Sequence, residues 1–151
     1  MLSRRLFNSL LVAAAVTAGS PAHAALDADA VGLVEKAIAT AKKDGESKLV
    51  ERVNAKDSAF VTGDLYVVVR DLNGTILAHP MKSSLVGKNL NDVPDADGKL
   101  FRKDITDGAA KVGKGWVNYK SKNPVTNHVE AKKTYYQKSG SIIVEAGIYA
   151  K

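Results

Sequence analysis

The stretch from residue 63 to residue 80, GDLYVVVRDLNGTILAHP, constrains the fold of this 151-residue chain more than any other. Residues 65–70 are mostly β-branched or aromatic and apolar on both faces, which predicts a strand. Asn73-Gly74 predicts a tight hairpin turn with positive φ at both positions. Residues 75–79 return, and Pro80 ends the pairing because it lacks an amide hydrogen. A strand that is apolar on both faces must be covered on both, so we expect this hairpin in the middle of a sheet.

The first 24 residues have the three parts of a secretory signal peptide. Arg4 and Arg5 form the basic start, residues 6–18 carry no charge, and Ala22-His23-Ala24 fits an A-x-A cleavage site. The apolar run is shorter than the ~20 residues that a membrane-spanning helix needs. We therefore expect cleavage after Ala24 and a periplasmic or secreted mature chain. A retained membrane anchor is the alternative, and the arginine pair fits both the general secretory and the twin-arginine export routes.

Residues 25–151 are long enough for one domain with its own core. The chain has no cysteine, which excludes disulfides, a thiol nucleophile and a thiolate metal site. Its formal net charge of +6 falls to +4 once Arg4 and Arg5 are removed. The lysines are scattered and the chain is predicted to be exported, so we expect no nucleic-acid partner. The charge favours solubility and a weak attraction to anions.

Periodicity gives the order of elements in the mature chain. Apolar residues recur at helical spacing from residue 25 to about residue 56, with a possible break near Gly45. A polar connection over residues 81–97 is expected to arch over the other face of the sheet. The remaining elements are a helix and three strands, at residues 98–112, 115–120, 129–137 and 141–150. This order predicts an α+β domain in which a long N-terminal helix packs on a central five-stranded antiparallel sheet.

Motifs of catalysis and of metal binding are missing from the sequence. It contains no G-x-S-x-G, no H-E-x-x-H and no G-x-x-x-x-G-K-[ST], and its mature part has only His79 and His128. Asp95-Ala96-Asp97-Gly98 is partly similar to a calcium loop, but its register puts Val93 at the first ligand position. We interpret it as a turn and helix cap. We expect no enzymatic activity, no cofactor and no metal.

An ordered set of motifs resembles a known family. The chain is similar to the single Cache domain family, type 2, the extracytoplasmic PAS-like sensing domains of bacteria. The resemblance covers nearly all of the mature chain. Its motifs are Gly63–Val69, Asn73-Gly74, Ala78-His79-Pro80, Leu85–Lys88, Asp95, Gly98-Lys99 with Phe101, Gly115–Val117 with Tyr119, Asn123–Thr126, Lys132 with Tyr135, and Ala146–Tyr149.

The resemblance implies a PAS-like fold with a small-ligand pocket between the sheet and its covering loops. Many relatives adjoin a transmembrane helix and feed a chemotaxis, kinase or cyclase module. The sequence ends at Lys151, directly after the last expected strand. We therefore expect a free-standing exported Cache protein, without a transmembrane helix in the mature chain, that relies on a membrane-bound signalling or transport partner.

Six residues place a polar group inside an apolar stretch and are the predicted ligand-binding residues: Tyr66, His79, Trp116, Tyr119, Lys132 and Tyr135. Aromatic walls with a few donors suit a small ligand, and lysine, histidine and tyrosine can all donate to a carboxylate. We expect a small organic acid as the ligand, with Lys88 and Lys99 as weaker candidates. The alternative is an accessory or interaction protein of the cell envelope whose vestigial pocket is filled by these side chains.

Overall fold

The computed structural model describes residues 22–150, so most of the predicted signal peptide lies outside the described residues. Within this range the chain forms three α-helices, six strands and a short 3-10 helix at Ser83–Leu85. In chain order the elements are α1 (Ala22–Asp44), α2 (Glu46–Asn54), β1 (Val61–Thr62), β2 (Leu65–Asp71), β3 (Ile76–Ala78), α3 (Phe101–Lys111), β4 (Lys114–Lys122), β5 (Val129–Ser139) and β6 (Ile142–Tyr149).

The predicted break in the N-terminal helix is confirmed at Gly45. This residue has a φ of 97°, a conformation that glycine adopts without steric cost, and it separates α1 from α2. Its amide still donates to the carbonyl of Ala41 at 2.9 Å, which closes the last turn of α1. The helical stripe therefore continues in a new direction, and Leu49 and Val53 of α2 are fully buried.

The strands form one antiparallel sheet in the order β1-β2-β6-β5-β4, with β3 also paired to β2. The five predicted strands are present, and the two-residue β1 is an addition. Of the two hairpin strands, β2 lies in the interior of the sheet and β3 lies at its edge, so the hairpin prediction is right for β2 and wrong for β3. The outer edge of β3 is occupied by the following loop, since Ile76 N–H donates to Lys88 O at 3.0 Å and Gly87 N–H donates to Ile76 O at 2.7 Å.

The turn of the β2–β3 hairpin also differs from the prediction. The loop has three residues, because Asp71 N–H donates to Thr75 O at 2.9 Å. Gly74 has a φ of 94°, whereas φ of Asn73 is not positive. The Asp71 carboxylate accepts the amides of Asn73 and Thr75, both at 2.9 Å, and this side-chain capping favours the longer loop.

The two faces of the sheet are covered by different elements. Helices α1 and α2 cover one face, which we call the helix face, where Val67 and Val69 of β2 meet Val144 and Ala146 of β6. Helix α3 and the loop between β3 and α3 cover the opposite face, which we call the cavity face because a cavity lies beneath these elements. The position of the loop agrees with the prediction. The cavity face presents, among others, Tyr66, Val68, Tyr136 and Ile143. Because β6 lies between β2 and β5 and is covered on both sides, all eight of its residues are buried.

Candidate functional site

A cavity of about 40 Å³ lies on the cavity face, between β2, β5 and β6 and the loop and helix that cover them. Its lining carries four basic side chains and one acidic side chain: Arg70, Lys82, Arg102, Lys132 and Glu145. Apolar contacts come from Val68, Ile76 and Leu85. Apolar walls with a few charged groups are typical of a small-molecule site, and the excess of basic groups favours an anion.

The pair of Arg70 and Glu145 forms one wall of the cavity. Arg70 projects from β2 and Glu145 from β6, and both are almost fully buried. Arg70 Nε donates to Glu145 Oε2 at 2.9 Å and Nη2 donates to Oε1 at 2.7 Å, a bidentate ion pair. Burial works against the guanidinium charge, but the adjacent carboxylate outweighs it and raises the pKa of Arg70. The third nitrogen, Nη1, is buried and has no hydrogen-bond partner within residues 22–150.

Lys132 reaches the same cavity from β5. Its Nζ donates to Tyr66 Oη at 3.1 Å and to Tyr149 Oη at 3.4 Å, and it lies 4.4 Å and 4.5 Å from the centres of those two rings. No carboxylate of the described residues lies within ion-pair distance of it. Burial lowers the pKa of Lys132 to about 7, and the neighbouring Glu145 only partly offsets this.

A glycine makes room for the Lys132 side chain. Gly147 lies opposite Thr134 in the β5–β6 ladder, on the cavity face. A Cβ at this position would come within 2.5 Å of Lys132 Cε and closer still to Thr134 Oγ1. Thr134 Oγ1 in turn shares a hydrogen bond of 3.0 Å with Tyr119 Oη. The missing side chain at Gly147 thus allows Lys132 to cross β6 and reach Tyr66 on β2.

His79 is buried at the end of β3 and lines the cavity in its neutral form. Burial lowers its pKa to about 3, with a further contribution from the charge of Lys132. Its Nδ1 accepts the amides of Met81 at 3.3 Å and Lys82 at 3.0 Å. The ring proton therefore resides on Nε2, which leaves a neutral donor. Nδ1 also anchors the start of the covering loop.

Four of the six predicted ligand-binding residues line this cavity: Tyr66, His79, Tyr119 and Lys132. Trp116 and Tyr135 do not. They lie directly opposite each other on β4 and β5, their rings are 5.2 Å apart, and both pack into the helix-face core. Alternation along the strands places Lys132 and Tyr135 on opposite faces of β5, since they are three residues apart.

Several residues of the site were missed by the sequence analysis, above all Arg70 and Glu145. Their signal was present: each is a charged residue that directly follows three consecutive apolar residues of a strand, in VVVR and IIVE. A charge in such a run must be paired when it is buried. Two weaker candidates, Lys88 and Lys99, are exposed and do not line the cavity.

A larger and more open cavity of about 630 Å³ lies near the start of α1 and the ends of β4, β5 and β6. Leu26, Ala131 and Ile148 contribute to its mainly apolar lining. Its size would make it the first choice on geometry alone. The smaller cavity is the stronger candidate, because buried charged groups without complete pairing converge there and require a ligand or water.

In the acidic turn before α3, the carboxylate of Asp95 is engaged within the chain. Asp95 Oδ1 accepts the amides of Asp97 and Lys99 at 3.0 and 2.8 Å, and Oδ2 accepts the amide of Lys120 at 2.7 Å. These bonds lower the pKa of Asp95 and tie the turn to the edge strand β4. The interpretation as a turn is confirmed, but the N-cap of α3 is Leu100, so the predicted helix cap is wrong.

Over the described residues 22–150 no group of three or more metal-ligating side chains comes together. Within the same range, none of the helices combines the length and the apolar character needed to cross a membrane.

Comparison with known proteins gives a consistent result. The sequence model of the family "Single Cache domain 2" matches residues 38–149. No curated protein matches the chain.

Three solved structures share the fold. A methyl-accepting chemotaxis protein from Vibrio parahaemolyticus RIMD 2210633 has 21% identity and a TM-score of 0.72, covering 85% of this chain and 91% of its own. A periplasmic sensor domain of a chemotaxis protein has 23% identity and a TM-score of 0.66, covering 92% and 100%. A Cache chemosensory domain, described for its carboxylic acid recognition, has 18% identity and a TM-score of 0.72, covering 89% and 100%.

Proposed function

Because the chain belongs to the single Cache domain 2 family, we propose that it is an extracytoplasmic sensing domain that binds a small organic acid without transforming it. The site is the cavity that Arg70, Lys132 and His79 line. Tyr66 and Tyr119 complete the predicted residues at this site, and Trp116 and Tyr135 serve the helix-face core instead.

The observation that carries this proposal is that two buried cations line one cavity without complete pairing. Among the described residues, Arg70 Nη1 has no hydrogen-bond partner and Lys132 Nζ has no carboxylate partner. Both groups are buried, and a buried donor without an acceptor costs about 1–3 kcal/mol, more when it is charged. A ligand carboxylate would accept from Arg70 Nη1 and pair with Lys132 Nζ. His79 adds a neutral donor, so one small anion would satisfy the hydrogen-bonding needs of Arg70, Lys132 and His79.

The volume of the cavity limits the size of the acid. A space of about 40 Å³ corresponds to roughly three water-sized positions, at about 10–15 Å³ for each. An acid of two or three carbons matches this space better than a longer one. A solved Cache chemosensory domain with the same fold recognises carboxylic acids, which supports the same ligand class here.

We further propose that the leader is removed after Ala24 and that the domain works in the periplasm or outside the cell. The family is extracytoplasmic, and a structural neighbour is a periplasmic sensor domain. A membrane-bound signalling or transport protein would then read the occupancy of the cavity.

A second candidate function is an accessory protein of the cell envelope with a vestigial pocket. The small volume favours it, as do the bonds of Lys132 to two tyrosine hydroxyls of the same chain. Under this alternative, water would complete the donors and no acid would bind.

The test is a thermal-shift titration with sodium acetate and sodium propanoate against sodium chloride at equal ionic strength. An acid at 100 times its Kd adds about 2.7 kcal/mol, or several degrees in a domain of this size. Lys132→Met should abolish the shift, whereas Lys36→Met, at an exposed position of α1, should keep it. No shift with any short acid would favour the vestigial pocket, and an equal shift in both variants would remove Lys132 from the site.

A further inference from the structure

Lys132 has a position that its proposed role in anion binding does not fully use. Among the described residues it is the only buried lysine, with 6% exposure. Its amine borders a cavity, where it contacts two phenol hydroxyls. A lysine at the rim of a site can attract an anion while its charge stays hydrated. An amine held inside a cavity without a carboxylate partner is also a nucleophile.

We propose that Lys132 captures small 2-oxo acids by forming a reversible imine with their carbonyl carbon. This inference rests on the proposed function, because the acid must first enter the cavity as an anion. Arg70 Nη1 would hold the carboxylate, which leaves the adjacent carbonyl carbon to face the amine. The ligand class is the two- or three-carbon 2-oxo acid, such as glyoxylate or pyruvate, in keeping with the volume of the cavity.

The chemistry balances with water as the only by-product. The lone pair of neutral Lys132 Nζ forms the C–N bond, the carbonyl π electrons move to oxygen, and one amine proton follows to give a carbinolamine. A proton from solvent then converts the hydroxyl to water, the C–O bond breaks, and a protonated imine remains. The hydroxyls of Tyr66 and Tyr149, already bonded to Nζ, can donate to the carbonyl oxygen as it becomes negative.

The surroundings of Lys132 favour the neutral amine that this reaction needs. Burial is the main cause of its lowered pKa, and the charges of Lys82 and Arg70 act in the same direction. Glu145 and Asp64 act in the opposite direction. Two further neighbours of the amine stay uncharged near neutral pH, since burial raises the pKa of Tyr66 and lowers that of His79.

The lowered pKa of Lys132 predicts that the acid reacts with this lysine in preference to exposed lysines. With a pKa of about 7, half of Lys132 is neutral at pH 7, about a thousandfold more than for a lysine with the usual pKa near 10.4. Part of this advantage is lost because nucleophilicity falls with the pKa. The imine carries one positive charge, as the ammonium did, and the carboxylate of the bound acid lies beside it.

The experiment is reductive trapping on the whole chain at pH 7, with pyruvate or glyoxylate and sodium cyanoborohydride. Capture predicts one adduct per chain, heavier by one acid less one oxygen atom, and peptide mapping should place it at Lys132. The α-amine of the chain serves as an internal reference for non-selective reaction. Excess propanoate should protect Lys132 without protecting the N-terminus. Lys132→Arg should lose the adduct, whereas Lys36→Arg should keep it.

Two results would overturn the inference in distinguishable ways. Adducts spread over exposed lysines and the N-terminus, with none at Lys132, would refute imine formation, while a thermal shift with acetate in the same preparation would leave the proposed function intact. Absence of both the shift and the adduct would refute both. Protection by propanoate is measured on the unaltered chain, so the test holds even when Lys132→Arg does not fold.

Discussion

Lys132→Met should change how the stability of the domain depends on pH. In the unfolded chain the lysine has a pKa near 10.4, and in the folded domain burial lowers it to about 7. Between these two values the unfolded state binds more protons than the folded state, so the free energy of unfolding rises with pH. Linkage over pH 7 to 9.5 gives an increase of about 3 kcal/mol from this one group.

The assay is urea denaturation at half-unit pH steps, with the midpoint and the slope fitted at each pH. Measurements stop at pH 9.5, because burial raises the pKa of Tyr66 and Tyr119, and ionisation of unfolded tyrosines then lowers stability. Methionine has a similar volume and no charge, so Lys132→Met should lose the 3 kcal/mol rise and be more stable than the unaltered domain at pH 7.

Lys36→Met is the matched control, since Lys36 is exposed on α1. It removes one cation without touching the cavity and should keep the rise of the unaltered domain. A parallel rise in Lys132→Met, or a flat profile in the unaltered domain, would refute the argument that Lys132 is a buried, uncompensated amine. Such a result would also remove the neutral amine that imine formation requires.

Two further predictions concern the walls of the cavity. Gly147→Ala should displace the Lys132 side chain, because its Cβ would come within 2.5 Å of Lys132 Cε. Isothermal titration should then show a Kd for acetate that is at least tenfold weaker, a loss of about 1.4 kcal/mol. The control Gly32→Ala, at a position with open space around it, should leave that Kd unchanged. Glu145→Ala should lower the free energy of unfolding by about 3–5 kcal/mol, because Arg70 then stays buried without its partner. Urea denaturation should show that adding Arg70→Met to the same chain recovers most of this loss, which would confirm the cause. A loss below about 1 kcal/mol in Glu145→Ala would contradict it.

Much of the fold could be predicted from periodicity and from glycine positions. The apolar run of β2 identified an interior strand, and Gly45 identified the helix break. The edge position of β3 could not be predicted in this way. It depends on which strand pairs with the free edge of β2, and that partner is β6, more than 70 residues later in the chain. The three-residue turn followed from the capping side chain of Asp71, which competes with the Asn-Gly signal.

The site was predictable in part, and strand alternation explains the difference. Tyr119 and Lys132 are cross-strand partners on the cavity face, and Trp116 and Tyr135 are cross-strand partners on the helix face. The prediction placed both Trp116 and Tyr119 of β4, and both Lys132 and Tyr135 of β5, in one site. Residues three apart on a strand lie on opposite faces of the sheet. The Arg70–Glu145 pair was missed because its two members are 75 residues apart, and their pairing depends on the register of β2 and β6.

The strand β6 has consequences for how this domain diversifies. None of its eight residues faces solvent, so every side chain packs either into the helix-face core or on the cavity face. Even-numbered positions such as Val144 and Ala146 must fit the volume beneath α1, whereas Glu145 and Gly147 determine the charge and the space of the cavity. Substitutions at Glu145 and Gly147 therefore change the charge and the volume of the cavity, whereas the packing beneath α1 depends on the alternate residues of the same strand. A single strand thus separates the positions that hold the scaffold together from the positions that shape its cavity.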